Sequence, residues 1–138
     1  IASVIGSKLG ASIADRIGIP IVLSVTLIII IISSIFMYIF HQSLVLSTIM
    51  LTIWTLAIWM FGPTQSFNLS KLIPKSSSIL LSLNSSFVQL GFAIGAFIGG
   101  FTINLFSIKY ITIIAATSTA IALIIYFRNT KESIYIKI

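Results

Sequence analysis

The stretch Ile21–Phe40, IVLSVTLIIIIISSIFMYIF, holds twenty residues without a charge and an unbroken isoleucine block from Ile28 to Ile32. At about 1.5 Å per residue a helix over this run is about 30 Å long, the thickness of a bilayer's hydrocarbon core. Its apolar residues are not confined to one stripe, as they are in a helix lying on a soluble core. Three more uncharged runs follow: Leu44 to Pro63, Ile79 to Phe106 and Tyr110 to Phe127. A shorter apolar run, Ile1 to Ile13, precedes them. The links His41-Gln42-Ser43 and Ser107-Ile108-Lys109 are so short that the spans they join must be antiparallel neighbours. The expected fold is an all-α membrane bundle of four complete transmembrane helices and a partial N-terminal one. The helices are expected over about 1–14, 21–40, 44–63, 77–106 and 110–127, in a single transmembrane region covering residues 1–138.

Composition excludes most other classes. Of the 138 residues, 58% are hydrophobic and 7% charged, where soluble domains carry about 25% charged residues. The net charge of +6 is spread along the chain and makes no basic stripe of the kind nucleic acid requires. With no cysteine there is no disulfide framework and no thiolate metal site. One His and two carboxylates cannot supply a carboxylate pair, a Ser-His-Asp set or a metal cluster. No catalytic residue, metal site or cofactor is expected, and the chain does not read as an enzyme. Its beginning inside an apolar stretch, without Met or a basic leader, reads as a piece of something longer.

Charges were not used to draw the spans, so their distribution tests the topology. One side receives Arg16, Lys71, Lys75, Arg128, Lys131 and Lys137; the other receives only Lys109 and the link with His41. The first side is therefore expected to be cytoplasmic, together with the C-terminus. Lys8 falls within the partial span, where its stem either snorkels to the cytoplasmic end or meets a protein interior. The longest link, Thr64 to Ser78, contains Pro74 and Ser76-Ser77-Ser78, whose hydroxyls can accept from the free N–H groups of a helix beginning near Ser76. Gly62-Pro63 marks a break or kink at the end of the preceding run.

Several side-chain sets stand out. Gly91, Gly95 and Gly99 recur every four residues, with Gly100 beside them, and Gly6 and Gly10 form a second pair. Such stripes let helices approach closely, and on the longer helix a smooth stripe would also let neighbours slide in a conformational cycle. Asn84, Ser85, Ser86 and Gln89 place polar groups in an apolar helix, where they need either interhelical hydrogen bonds or a wet cavity. Trp54, Gln65, Asn84, Ser85 and Gln89 are the candidates for a substrate cavity. His41 reads as a solvated loop residue. Asp15-Arg16 followed by Gly18 makes a charged turn, with Asp15 suited to a helix start in a neighbour and Arg16 to a carboxylate or lipid phosphate.

Ala14-Asp15-Arg16-Ile17-Gly18 resembles the loop signature of the major facilitator superfamily, Gly-x-x-x-Asp-Arg-x-Gly-Arg-Arg. That signature joins helices 2 and 3 of these twelve-helix transporters and recurs, weakened, between helices 8 and 9. Asp15, Arg16 and Gly18 match it; Ala11, Ile19 and Pro20 depart from it, as suits the second copy. The run Leu81 to Ser86, with Gln89-Leu90-Gly91, Gly95 and Gly99-Gly100, is similar to helix 11 of arabinose-efflux-permease-like exporters in the drug/proton antiporter branch. The resemblance implies the C-terminal part of such a transporter, from within helix 8 to helix 12, in a plasma membrane. It also implies a missing N-terminal half, contacted by Asp15, and a small-molecule substrate and a proton in the whole protein. The function expected is efflux by alternating access, with this chain alone inactive. The alternative is a small membrane subunit that assembles partner helices through its glycine seams.

Overall fold

The computed structural model describes residues 2–72 and 74–135. They form α1 (Ala2–Ile17), α2 (Ile19–Ile39), α3 (Leu44–Leu72), a short 3-10 turn (Pro74–Ser76), α4 (Ser77–Leu105) and α5 (Tyr110–Tyr135). Four helices are long and apolar enough to cross a membrane: Ile19–Ile39, Leu44–Leu72, Pro74–Leu105 and Tyr110–Asn129. The all-α membrane architecture is the one the hydropathy pattern implies. Lys137 lies outside the described residues, as does Ile1 at the head of the partial span.

α2 is the centre of the bundle. It packs along α3 on one side and α5 on the other, while α1 lies mainly against α3. Its buried residues, among them Val22, Thr26, Ile30 and Ser33, recur at three- and four-residue steps and so share one face. Thr26, Ser33 and Ser34 are buried hydroxyls that donate to α2's own carbonyls, Thr26 Oγ1 to Val22 O at 2.9 Å and Ser34 Oγ to Ile30 O at 2.8 Å. Self-bonding removes the penalty of burying a polar group, and the small side chains let neighbours come close. The run is therefore not uniform around its circumference: large apolar residues such as Ile21, Ile28 and Ile32 face outward.

Three helices run past their expected ends: α1 to Ile17, α3 to Leu72 and α5 to Tyr135 instead of Phe127. α3 does not stop at Pro63 but continues to Leu72. Proline removes one backbone donor, the one to the carbonyl four residues earlier, and the helix continues on both sides of it; the neighbouring hydroxyls bond other carbonyls, Thr64 Oγ1 reaching Met60 O at 2.8 Å and Ser66 Oγ reaching Gly62 O at 3.1 Å. At 29 residues, α3 is about 44 Å long, so its polar last turns extend beyond the hydrocarbon. The long link thus shrinks to the 3-10 turn before Ser77. Ser76 stands at the cap of α4, but its hydroxyl makes no capping bond, because ψ of 22° holds it outside the extended conformation a capping side chain uses. α1 runs to Ile17 instead of ending near residue 14, which puts Asp15 and Arg16 on its last turn and not in a loop. The backbone supplies the reason: Gly18 N donates to Ala14 O at 3.1 Å, closing one more helical turn before the chain reverses.

Helix alternation gathers the ends into two groups. Phe40–Ser43 and Phe106–Lys109 lie at one end of the bundle, where the Tyr38 and Tyr110 rings are 6.1 Å apart. The joint at Gly18, the turn at Pro74 and the last turns of α5 lie at the other, where Tyr126 Oη reaches Pro20 O at 3.4 Å.

Candidate functional site

The approach of α1 to α3 is built by glycine. A Cβ on Gly6 would stand 2.8 Å from Leu56 O, and one on Gly10 would stand 2.7 Å from Met60 O and 2.9 Å from Met60 Cα. Successive glycines of α1 thus meet successive turns of α3 in the same direction, so the two helices are parallel. Backbone contact of this kind supplies attraction where lipid offers no hydrophobic drive. Lys8, between the two glycines, is exposed on another side of α1.

The Asp15-Arg16-Gly18 set has one structural anchor. Gly18 is the only residue between α1 and α2, with φ of 98° and ψ of 142°. Side-chain-bearing residues are rarely found there, and so glycine is required. Gly18 O also accepts from Val22 N at 3.3 Å, and Pro20 occupies the first turn of α2, where its missing N–H is no loss. Asp15 and Arg16 are both exposed. Arg16 sits in the last turn of α1, where the helix dipole favours a cation.

The five cavity candidates do not converge on one point. Trp54 and Gln65, both half-buried, are eleven residues apart on α3, about three turns, and share a face. Asn84, half-buried on α4, falls on the same face as Gly91 and Gly95 at seven- and eleven-residue intervals. Ser85 and Gln89 lie on the adjoining side of α4, exposed. Ser86 is exposed as well and turns its hydroxyl back to Ser82 O at 3.0 Å.

The second glycine stripe is open where the first is closed. Cβ atoms on Gly91, Gly95, Gly99 and Gly100 would meet nothing within 4 Å. Gly91, Gly95 and Gly99 instead form one wall of a groove of about 360 Å³, whose other wall is Ile111, Ile114, Ala115 and Ser118 of α5. The described residues include no group of His, Asp and Glu that could hold a metal ion.

Two features escape a reading of the sequence. One is the buried hydroxyl face of α2, which the spacing of Thr26, Ser33 and Ser34 by seven and eight residues could have disclosed. The other is a pocket of about 380 Å³ at the link end, lined by Met37, His41, Ser47, Ser107, Lys109 and Thr112 among others. It draws on α2, α3 and α5, so only the fold assembles it.

Comparison with known proteins follows the same lines. The chain is 36% identical over 124 residues to the uncharacterized MFS-type transporter YbcL of Bacillus subtilis strain 168, a match covering 90% of this chain and 32% of that protein. It therefore spans about a third of the length of the curated relative it matches. No solved structure matches it. Residues 1–135 match the Major Facilitator Superfamily. Because that match extends from α1 to the last turn of α5, it takes in every helix described above, and the chain belongs to the major facilitator superfamily of membrane transporters.

Proposed function

We propose that the chain is the C-terminal part, helix 8 to helix 12, of a proton-coupled exporter of small organic solutes in the plasma membrane. In this reading α1 to α5 are helices 8 to 12, and the Arg16, Lys71 and Arg128 end is cytoplasmic. The observation that carries it is the uncovered side of α4. Ser85 and Gln89 are exposed within a helix long and apolar enough to span a bilayer. Polar side chains facing lipid are costly, so this side of α4 needs further protein or a water-filled cavity against it. A transporter's second half, with the solute pathway between the halves, provides both. The one-third coverage of the relative's length supports the same reading.

Alternating access requires outward- and inward-open states that differ by only a few kcal/mol, so that substrate or protons can tip the balance. The sequence's two acidic residues, Asp15 and Glu132, fall outside all four spans. A proton-coupling carboxylate therefore belongs to the other half, and these residues alone transport nothing. The test is a panel of candidate solutes in everted vesicles containing the full-length protein, with Asn84→Leu and Gln89→Leu variants. We expect pH-gradient-driven uptake of at least one solute, lost in Gln89→Leu while membrane insertion is retained. Uptake indifferent to the gradient would overturn proton coupling, and uptake by the chain 1–138 alone would overturn the two-half reading.

A further inference from the structure

Lys8 lies away from both ends of the bundle. It stands ten residues before the joint at Gly18, a rise of about 15 Å along α1. Its neighbours Gly6 and Gly10 pack on Leu56 and Met60. Lys8 is therefore level with the turn of α3 between those two residues, about 21 Å along that helix from Leu44. A bilayer's hydrocarbon core is about 30 Å thick, so both measures set Lys8 near its middle. Snorkelling does not carry the ammonium to water from this depth, because the stem is only about as long as one helical turn, about 5.4 Å. A helical side chain also leans toward the N-terminus of its helix, which for Lys8 is away from the nearer, Gly18 end.

Two residues from each glycine, Lys8 stands about 200° round the helix from both, on the side turned away from α3, and it is exposed. It makes no ion pair or hydrogen bond among the described residues. Asp15 is seven residues on, beyond the three- or four-residue step at which helical side chains meet. Glu132, the other acid of the sequence, falls outside the spans. An ammonium has three donors and no acceptor, so its partner must be an acceptor that this chain does not supply. Uncompensated cations at this depth are costly; they face protein or a wet cavity and mark the paths of solutes and ions. Ser12 adds an independent sign. Hydroxyls in these helices commonly turn back on their own backbone, as those of Ser7, Ser24, Thr26, Thr52 and Thr64 do. The Ser12 hydroxyl makes no such bond, and it lies one turn from Lys8 on the same exposed side of α1.

We propose that Lys8 and Ser12 bind the carboxylate or phosphate of an anionic solute near the middle of the membrane, so that the solutes this transporter handles carry negative charge. The ammonium supplies the counter-charge and the hydroxyl a second donor, both aimed away from the α1–α3 contact. The inference rests on the reading of the chain as part of a solute transporter, but not on the direction of transport or on proton coupling. A carboxylate fixed elsewhere in the full-length protein would offer Lys8 the same chemistry; it differs in being present without solute, and the test uses that difference.

The test is thermal unfolding of the full-length protein in detergent, at fixed ionic strength, with benzoate, gluconate, citrate or glucose 6-phosphate, and with benzamide and glucose as uncharged counterparts. At least one anion should raise the midpoint while the uncharged molecules do not. Lys8→Gln should weaken the apparent affinity for that anion by at least about tenfold, the worth of a hydrogen bond to a charged group. Lys8→Arg should keep it, and Ser12→Ala should weaken it about threefold, as loss of an ordinary hydrogen bond does. Without solute, Lys8→Gln should unfold at no lower temperature than the unsubstituted protein. No shift from any anion, equal shifts from charged and uncharged molecules, or an anion shift that survives in Lys8→Gln would overturn the proposal. A lowered midpoint of Lys8→Gln without solute would overturn it in favour of a carboxylate within the protein. If Lys8→Gln cannot be purified, Ser12→Ala carries the test, and an unchanged anion affinity there would overturn the proposal. Vesicle uptake separates this inference from the transporter reading. Uncharged solutes carried equally well by Lys8→Gln, with no anion carried, would leave transport standing and end the anion assignment. Lys8-dependent anion binding with no solute moved would keep the site and end the transport reading.

Discussion

Gly10 of α1 faces Met60 of α3 so closely that a Cβ at position 10 would lie 2.7 Å from the Met60 carbonyl oxygen. The obstructing atoms are backbone, so no rotamer change relieves the clash, and α1 must move away from α3. Overpacking of this kind costs about 1–3 kcal/mol. Gly10→Ala should lower the thermal midpoint in detergent, and Gly10→Val should lower it further. An unchanged midpoint in both variants would mean that the helices are not in contact there.

Gly18 is required for a different reason. Little surrounds it, since a Cβ would meet only Pro20 Cδ at 4.0 Å, but its φ of 98° is one that side-chain-bearing residues seldom adopt. Gly18→Ala is expected to destabilise by about 1–3 kcal/mol through strain at the joint. Gly62→Ala is the control, because that glycine is helical and a Cβ there would touch nothing within 4 Å. Measured side by side in the same detergent, the Gly18 variant should unfold at a clearly lower temperature than the Gly62 variant.

Gly95 makes a third case. Within this chain a Cβ at position 95 enters open space, and alanine in mid-helix is favoured over glycine by about 0.5–1 kcal/mol. In the chain 1–138 reconstituted alone, Gly95→Ala should be neutral or slightly stabilising in thermal unfolding. In the full-length protein the same substitution should be destabilising if another helix lies on the stripe, and the difference between the two measurements reports that contact.

These three glycines also show what one sequence can disclose. The spans were legible because an uncharged run of bilayer length has few alternatives, and the alternation of Arg16, Lys71 and Arg128 against Lys109 follows from the same drawing. Spacing marked Gly6 and Gly10 on the same terms as Gly91 and Gly95, yet the first pair touches α3 and the second faces a groove. A stripe reports what a helix permits, not which partner is present. The continuation of α3 past Pro63 was hidden because proline reads as a helix breaker, whereas inside this long apolar helix it removes one backbone hydrogen bond and leaves the turns on either side intact. The pocket at Lys109 joins residues from positions 37 to 112, a distance along the chain that no local pattern spans.

The two-ended arrangement makes a prediction about labelling, helped by the absence of cysteine from the sequence. Gln42 in the α2–α3 link and Ile108 in the α4–α5 link are exposed at one end of the bundle; Leu72, at the end of α3, and Asn129, late in α5, are exposed at the other. Introduced singly as Gln42→Cys, Ile108→Cys, Leu72→Cys and Asn129→Cys into a cysteine-free full-length protein, the four should fall into two pairs. Each pair should react with a membrane-impermeant thiol reagent from one face of the membrane only. In the orientation proposed from the excess of Lys and Arg at the second end, with that end cytoplasmic, Gln42→Cys and Ile108→Cys should label in intact cells, and Leu72→Cys and Asn129→Cys only after permeabilisation. Labelling of both pairs with the faces exchanged would reverse the orientation but keep the fold, because the helices would still cross in the same order. Labelling of Gln42→Cys and Ile108→Cys from opposite faces would break the fold itself, since α3 and α4 could not then both cross between them.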